Sequence, residues 1–357
     1  MIYLLALGLF VWLLGYADDR TGLRQHNYKN YLIIAGSVVA LIMGLRTKYT
    51  GSSDTYAYSE IIYKGILEYD SFLDYFNFKL SDTEFIFSET GFYLFMWLLS
   101  RVFPDPQMLI LITSIFITYS ACRFIYKNTK DVPMGLLIYV SLGLFTFNMS
   151  GMRQAMAMSI CLFAYEFVKQ RKLIPFLLTV LIAMQFHKTA LCFFPIYLMP
   201  LIQTSKGNTF WYFVGMLLFI LAMDWIIETF NAFTGEDYLI GDQADGGGIS
   251  VIMIYATGII LSLFMHRTLK EKNIRMQFYI VTLGLTCYIA RYLANQVLER
   301  LSYYFFYFTL LLFPNIMDQL NEKERKVVKM AVCICALLLF WYRLQGGLFR
   351  NFKLFFM

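Results

Sequence analysis

Charge is the first thing this sequence lacks. Lys, Arg, Asp and Glu make up only 15% of its 357 residues, against about 25% in an ordinary soluble domain. A chain so poor in charge cannot coat a soluble surface of this size. Proline is sparse as well, with seven residues. No Pro/Gly/Ser-rich linker, low-complexity tract or fixed-period repeat divides the chain, so residues 1–357 are expected to form a single domain. Histidine occurs three times, at His26, His187 and His266, too far apart in sequence to make a metal-ligand set, and no metal or other cofactor is expected. No glycine-rich phosphate loop appears, which argues against a nucleotide substrate. Nor is a nucleic-acid partner expected. The six cysteines (Cys122, Cys161, Cys192, Cys287, Cys333 and Cys335) all lie within apolar segments and read as small core residues rather than a disulfide framework. The apolar start, residues 2–16, has no basic stretch before it and no small-residue cleavage site after it, so it reads as an uncleaved first span.

What is present in excess is apolar and aromatic side chain, 59% and 18% of residues respectively. These residues cluster into runs that are apolar all round rather than on one face, the pattern of helices set in lipid. Polar breaks divide them into segments at 2–16, 30–46, 91–103, 106–126, 132–149, 152–168, 173–186, 189–202, 209–230, 249–266, 276–293, 300–316 and 327–343. The expected fold is therefore all-α, a multi-pass integral membrane protein with about 11–13 transmembrane or re-entrant helices, whose surround is the lipid bilayer.

Lys and Arg in short loops are retained on the cytoplasmic side. Five such clusters mark that side: Arg20/Arg24/Lys29, Arg123/Lys127/Lys130, Lys169/Arg171/Lys172, Arg267/Lys270/Lys272/Arg275 and Lys323/Arg325/Lys326/Lys329. Acidic stretches near 47–90 and 231–249 read as loops on the outer side. The chain must then cross an odd number of times between 172 and 231. That holds only if 173–202 is two short crossings meeting near His187. The segment 91–103 would rise only about 20 Å as a helix, and parity favours its dipping in without crossing, unless 61–80 hides a further element.

Charged groups near membrane depth are costly and tend to mark function. Four places stand out. Residues 44–56 gather Arg46, Lys48, hydroxyls and Asp54 where the second helix leaves the membrane. At 148–157 a break at Ser150-Gly151 is followed by Arg153 in the first turn of a new helix. The helix dipole disfavours a cation there, so an anionic partner is expected, one that free N–H groups at the same helix end would also bind. At 183–191 a His187-Lys188 pair interrupts apolar sequence. At 299–305 Arg300 opens another helix, with Arg291 upstream. Together Arg46, Arg153 and Arg300 fall on the expected outer side with His187, Asp54 and Glu89. A set of guanidinium groups suits bidentate grip on phosphate oxygens and points to a lipid-linked phosphate or diphosphate.

These residues carry a resemblance. Gly44-Leu45-Arg46, then Gly51 through Asp54-Thr55-Tyr56, Ser88-Glu89-Thr90-Gly91-Phe92, Met152-Arg153-Gln154-Ala155-Met156-Ala157, the Arg171-Lys172 turn, the Ala183 to Leu191 block with Phe186-His187-Lys188-Thr189-Ala190, and Glu299-Arg300 through Tyr303-Tyr304-Phe305 resemble the EpsG family, which belongs with the Wzy-type and O-antigen polymerases. Thr189 stands where the family usually has Ser, and Ser52-Ser53 are inserted before Asp54. The resemblance spans roughly residues 40–315 and implies a polymerase of a bacterial surface polysaccharide, whether exopolysaccharide, capsule or O-antigen. Such a protein works in the cytoplasmic membrane, transferring glycan from an undecaprenyl-diphosphate donor to a lipid-linked repeat unit at the outer face, without metal or cofactor. It implies undecaprenyl-diphosphate-linked oligosaccharides as partners, with the flippase and chain-length regulator of the same pathway. His187 is the expected base, with Asp54 or Glu89 as the other candidates. Arg153, Arg300, Arg46, Gln154 and Arg291 are expected to bind diphosphate or substrate. A transporter or flippase of the same lipid-linked sugars, or an O-antigen ligase, shares these needs and stays open.

Overall fold

In lipid a backbone must satisfy its own N–H and C=O groups, and a helix does so within one segment. The computed structural model of the chain describes residues 2–20, 28–50, 53–80, 89–202, 206–234, 252, 256, 259, 268–292, 297–345, 347–350 and 352–356, and every regular element among them is helical. Local chemistry starts three of the principal helices. Asp105 accepts from Gln107 N ahead of Pro106–Asn128, Asp131 accepts from Met134 N ahead of Val132–Ser141, and Asn321 accepts from Glu324 N ahead of Glu322–Leu344. In the first two a proline sits in the first helical turn, where no donor is missed.

Pro106–Asn128 and Glu322–Leu344 are each long and apolar enough to cross a membrane. The bent pair Val132–Ser141 and Leu144–Ser150 makes a third if it counts as one span. Large apolar side chains such as Ile33, Ile34, Leu178, Leu217 and Leu338 are exposed, the surface expected of a protein surrounded by lipid. Inside, one large core runs through Val132–Ser141, Met152–Lys169, Lys272–Ala290 and Thr309–Met317.

The helices have two distinct ends. At one, Lys130 pairs with Asp318 at 3.1 Å, Lys329 with Asp131 at 2.8 Å, and Lys169 donates to Asn128 Oδ1 at 2.6 Å. This end gathers basic clusters. At the other, Arg46 reaches Met149 O at 3.0 Å, Arg343 reaches Leu142 O at 3.1 Å, and Gln154 reaches the carbonyl of Arg300 at 2.5 Å. A short segment near the C-terminus closes on this second end: Thr47 N donates to Lys353 O and Phe355 N to Leu45 O, flanking a bridge between Arg46 and Leu354.

The 173–202 stretch folds as the expected hairpin. Leu173–Met184 and Lys188–Leu201 lie against each other, with Arg171 donating to Tyr197 O at 2.7 Å and the Phe176 and Tyr197 rings 5.1 Å apart. The second arm is a 3-10 helix that contains Pro195 and Pro200, whose rings in an α-helix would clash with the carbonyl four residues back.

Other expectations needed correction. The 132–149 run is not one helix but bends by 50° at Leu142-Gly143. Gly143 has φ +103°, a left-handed conformation that favours glycine, and the Arg343 guanidinium occupies the space where a Cβ would stand. The 300–316 run divides into Val297–Phe306 and Thr309–Met317, and 209–230 divides at Ala222. Residues 47–90 are not simply a loop. Ser53–Tyr56 continues through a π-helical Ala57–Ile62 into Tyr63–Ile66, and Phe72–Leu80 follows. Their apolar side chains, Tyr58, Tyr63, Ile66 and Tyr75, form a second small core with Phe92, Tyr93 and Met96. The helix Thr90–Val102 belongs to this layer. Phe92 N bonds Gln185 O at one end, and Arg101 near the other donates to the carbonyls of Ile66 and Tyr69. Of the expected 231–249 loop, residues 231–234 are helical and the rest lies outside the described residues, as does most of the 249–266 segment.

Candidate active site

The break between Leu144–Ser150 and Met152–Lys169 organises the site. The Met149 carbonyl, left without an onward helical partner, accepts from Arg46 at 3.0 Å and from Thr55 Oγ1 at 3.1 Å. Arg46 of Gly-Leu-Arg and Thr55 of Asp-Thr-Tyr thus each supply one donor to the same carbonyl. The next helix then starts with Arg153 and Gln154 in its first turn. Gln154 is buried and its amide is tied to the Arg300 carbonyl, which fixes the start of Val297–Phe306 beside it.

Glu89 is the hub. It is 6% exposed, and its backbone lies in the left-handed region at φ 52°, a conformation that costs a non-glycine residue roughly 1–3 kcal/mol and recurs at functional sites. One carboxylate oxygen forms an ion pair with Arg153 Nη1. The other accepts from Lys188 N at 3.1 Å and lies 3.3 Å from His187 Nδ1. Gly91 permits this placement, since a Cβ there would stand 2.7 Å from that of Gln185. The stretch Glu89-Thr90-Gly91-Phe92 thus presses one carboxylate against the turn of the 173–202 hairpin.

His187 sits at that turn, outside both arms. A carboxylate can only accept, so a hydrogen bond to Glu89 requires the tautomer with its hydrogen on Nδ1, which leaves the lone pair on Nε2. Thr189 Oγ1 also lies 3.3 Å from Nδ1 and shares a 3.1 Å hydrogen bond with the buried Tyr304 hydroxyl. Burial, followed by the cations Arg153, Arg300 and Lys188, pushes the imidazole well below its ordinary range. The ring is therefore neutral at neutral pH.

Asp54, Tyr58, Arg153, Gln154, His187 and Arg300, with Phe147 and the Ser150-Gly151 break, line one cavity of about 300 Å³. The Arg153 guanidinium lies over the Tyr58 ring, 4.9 Å from its centroid. Arg300 is exposed, and its guanidinium makes no hydrogen bond or ion pair among the described residues. It is the cation left open to a ligand.

Two expected phosphate ligands lie elsewhere. Arg46 is buried beneath the break and donates to the carbonyls of Met43 and Met149 and to Ser114 Oγ, so it positions the break and does not line the cavity. Arg291 is paired with Glu299 and bonded to the Tyr292 hydroxyl at 2.6 Å, and is likewise outside the cavity. Glu89, expected as a possible base, has both oxygens engaged and orients other groups instead. Tyr58 was missed, although it stands four residues after Asp54, the helical spacing that puts two side chains on one face. Phe147, stacked on Tyr303 at 3.8 Å, gave no sequence signal within its apolar run. Among the described residues no three His, Cys, Asp or Glu side chains group as metal ligands.

The chain matches the EpsG family over residues 29–354, nearly its whole length, and belongs to that family, one of Wzy-like polysaccharide polymerases. No curated protein and no solved structure matches it.

Proposed function

We propose that this EpsG-family chain polymerises a bacterial surface polysaccharide by transferring glycan from an undecaprenyl-diphosphate carrier to a lipid-linked repeat unit at the outer face of the cytoplasmic membrane. The observation that carries this reading is the Glu89–His187 pair beside Arg153 and Arg300 at one cavity. In this scheme the acceptor sugar hydroxyl attacks the anomeric carbon of the donor. Its proton passes to His187 Nε2, while Glu89 holds Nδ1–H and stabilises the imidazolium that forms. The anomeric C–O bond breaks, and the negative charge that develops on the diphosphate is stabilised by Arg300 and Arg153. Asp54, at the cavity rim, is in place to hold an acceptor hydroxyl.

Guanidinium charge supplies what a metal ion would otherwise supply to the leaving group, which supports metal-independent transfer. The basic clusters at the opposite end from the cavity support the outward orientation of the site. The test is polymer synthesis in a strain lacking the native chain. His187→Ala and Arg300→Ala should each abolish high-molecular-mass polymer while the variant remains in the membrane at normal abundance. Wild-type polymer from both variants would reject this site.

A further inference from the structure

A second cavity, of about 290 Å³, lies on the neighbouring face of the same short helical segment. Asp54 and Tyr58 face the first cavity, whereas Ser59 and Glu60 line this one with Lys48, Tyr49, Asp105 and Gln107. Two features set it apart. The first is an aromatic platform. Tyr49 and Tyr56 stack with centroids 5.7 Å apart and planes 22° apart, yet are 73% and 40% exposed. Lys48 Nζ, 5.4 Å and 5.9 Å from the two centroids, holds the stack together and is itself anchored by Glu60 at 2.9 Å.

The second is a set of unused acceptors. Glu60 takes both Lys48 and Lys64 through Oε2, Asp105 uses Oδ1 to cap Gln107 N, and Gln107 spends its amide hydrogens on the carbonyls of Gly44 and Arg46. Glu60 Oε1, Asp105 Oδ2 and Gln107 Oε1 therefore remain as acceptors without a partner among the described residues. Planar acceptors beside a flat π-face call for a ligand that offers several hydroxyl donors and a patch of polarised C–H groups. A pyranose offers both. A simple cation fits poorly, because Lys48 and Lys64 already neutralise Glu60.

We infer that this cavity is a saccharide subsite, in which a sugar ring of the glycan stacks on Tyr49, the ring that lines the cavity and is backed by Tyr56, and donates hydroxyls to Glu60, Asp105 and Gln107. It rests on the polymerase reading and extends it, giving the glycan a holding point beside the reacting cavity. Such a point keeps the chain bound between additions and so lengthens the product.

The test uses the full-length protein in nanodiscs, titrated calorimetrically with repeat-unit oligosaccharides released from the cell's own surface polysaccharide. Joint Tyr49→Leu and Tyr56→Leu keep apolar bulk for the membrane interface but remove the flat faces. They should weaken binding roughly tenfold, the scale of a lost stacking contact. In cells the same double variant should make clearly shortened polymer at normal membrane abundance, where deletion of the chain abolishes polymer. Absence of oligosaccharide binding by the wild type, unchanged affinity in the double variant, or polymer of wild-type length would each overturn the subsite. A deletion strain that keeps its polymer is a different failure. It removes the polymerase reading itself and is recognised from that control alone.

Discussion

At the scale of single residues the site turns on one carboxylate. Glu89 joins Arg153 and His187, so its loss acts on both. Glu89→Gln keeps the shape but leaves Arg153 with an uncompensated, largely buried charge, a change that costs about 3–5 kcal/mol when one partner of a buried pair is removed. We expect Glu89→Gln to abolish polymer and to lower thermal stability in detergent, whereas Glu89→Asp should keep part of both. Equal melting temperatures for wild type and Glu89→Gln would show that the pair is not structural. Arg153→Lys retains charge but loses the planar fork. If the fork acts on the leaving diphosphate, turnover should fall by about 2–4 kcal/mol, a hundredfold or more. Full-length polymer from a well-expressed Arg153→Lys variant would remove Arg153 from that role. The imidazole gives a pH signature. Because His187 is held below its ordinary value near 6.5, the neutral base persists on mild acidification. Polymerising activity in membranes should therefore stay level from pH 8 through pH 6.5 and fall only below it. By the same linkage the unfolded chain binds the proton more readily, so His187 lowers stability as pH falls through 6.5. An acid limb already developed above pH 6.5 would contradict this environment. That His187 and Arg153 stand apart from their surroundings was legible in sequence because each breaks an apolar run, and both line one cavity. The contacts of Glu89 were not, because Arg153 and Lys188 lie 64 and 99 positions along the chain and nothing local signals them.

At the scale of elements two glycines set the geometry. Gly91 lets Thr90–Val102 approach the hairpin turn, and Gly143 lets Arg343 close on the bend between Val132–Ser141 and Leu144–Ser150. Gly91→Ala forces a Cβ against Gln185 and should cost about 1–3 kcal/mol, with a loss of activity beyond that of stability because Glu89 moves with it. Thermal melts and polymer gels on the same preparations would compare the two losses; a variant as active as wild type would show that Glu89 is placed by other means. The hairpin was legible because charge parity demanded an even pair of short crossings. The bend at Gly143 was hidden because glycine within an apolar run reads as ordinary membrane sequence. The helices of 53–80 were only hinted at, by the parity argument that left room for an element at 61–80. Their acidic residues suggested a loop, while the apolar stripe that buries them pairs with residues after position 90, which local periodicity cannot reveal.

At the scale of the whole molecule, the separation of basic and cavity ends predicts topology. Single cysteines placed at Lys172 and at His187 in a cysteine-free background should differ in labelling by an impermeant reagent in intact cells. The latter should react directly and the former only after permeabilisation; the reverse pattern would put the cavity on the wrong side for a lipid-linked donor. Polymer synthesis by purified protein should also survive strong chelation, and loss with EDTA that a divalent ion restores would overturn the metal-free scheme.

The clip between 45–47 and 353–355 joins stretches roughly three hundred residues apart, so it is a contact of very high sequence separation, with the loop-closure entropy that implies. The first helix, Ile2–Arg20, packs against Glu322–Leu344 across a similar separation, so both contacts are expected to form late, when the two ends of the chain come together. Arg46, which braces the Met149 carbonyl, sits inside the clip. On this ordering, completion of the cavity end is expected to trail insertion of the bundle. A variant that weakens the clip, such as Leu354→Gly, should accumulate as inserted, protease-resistant protein that makes little polymer, a kinetic lesion distinct from either misfolding or a damaged active site.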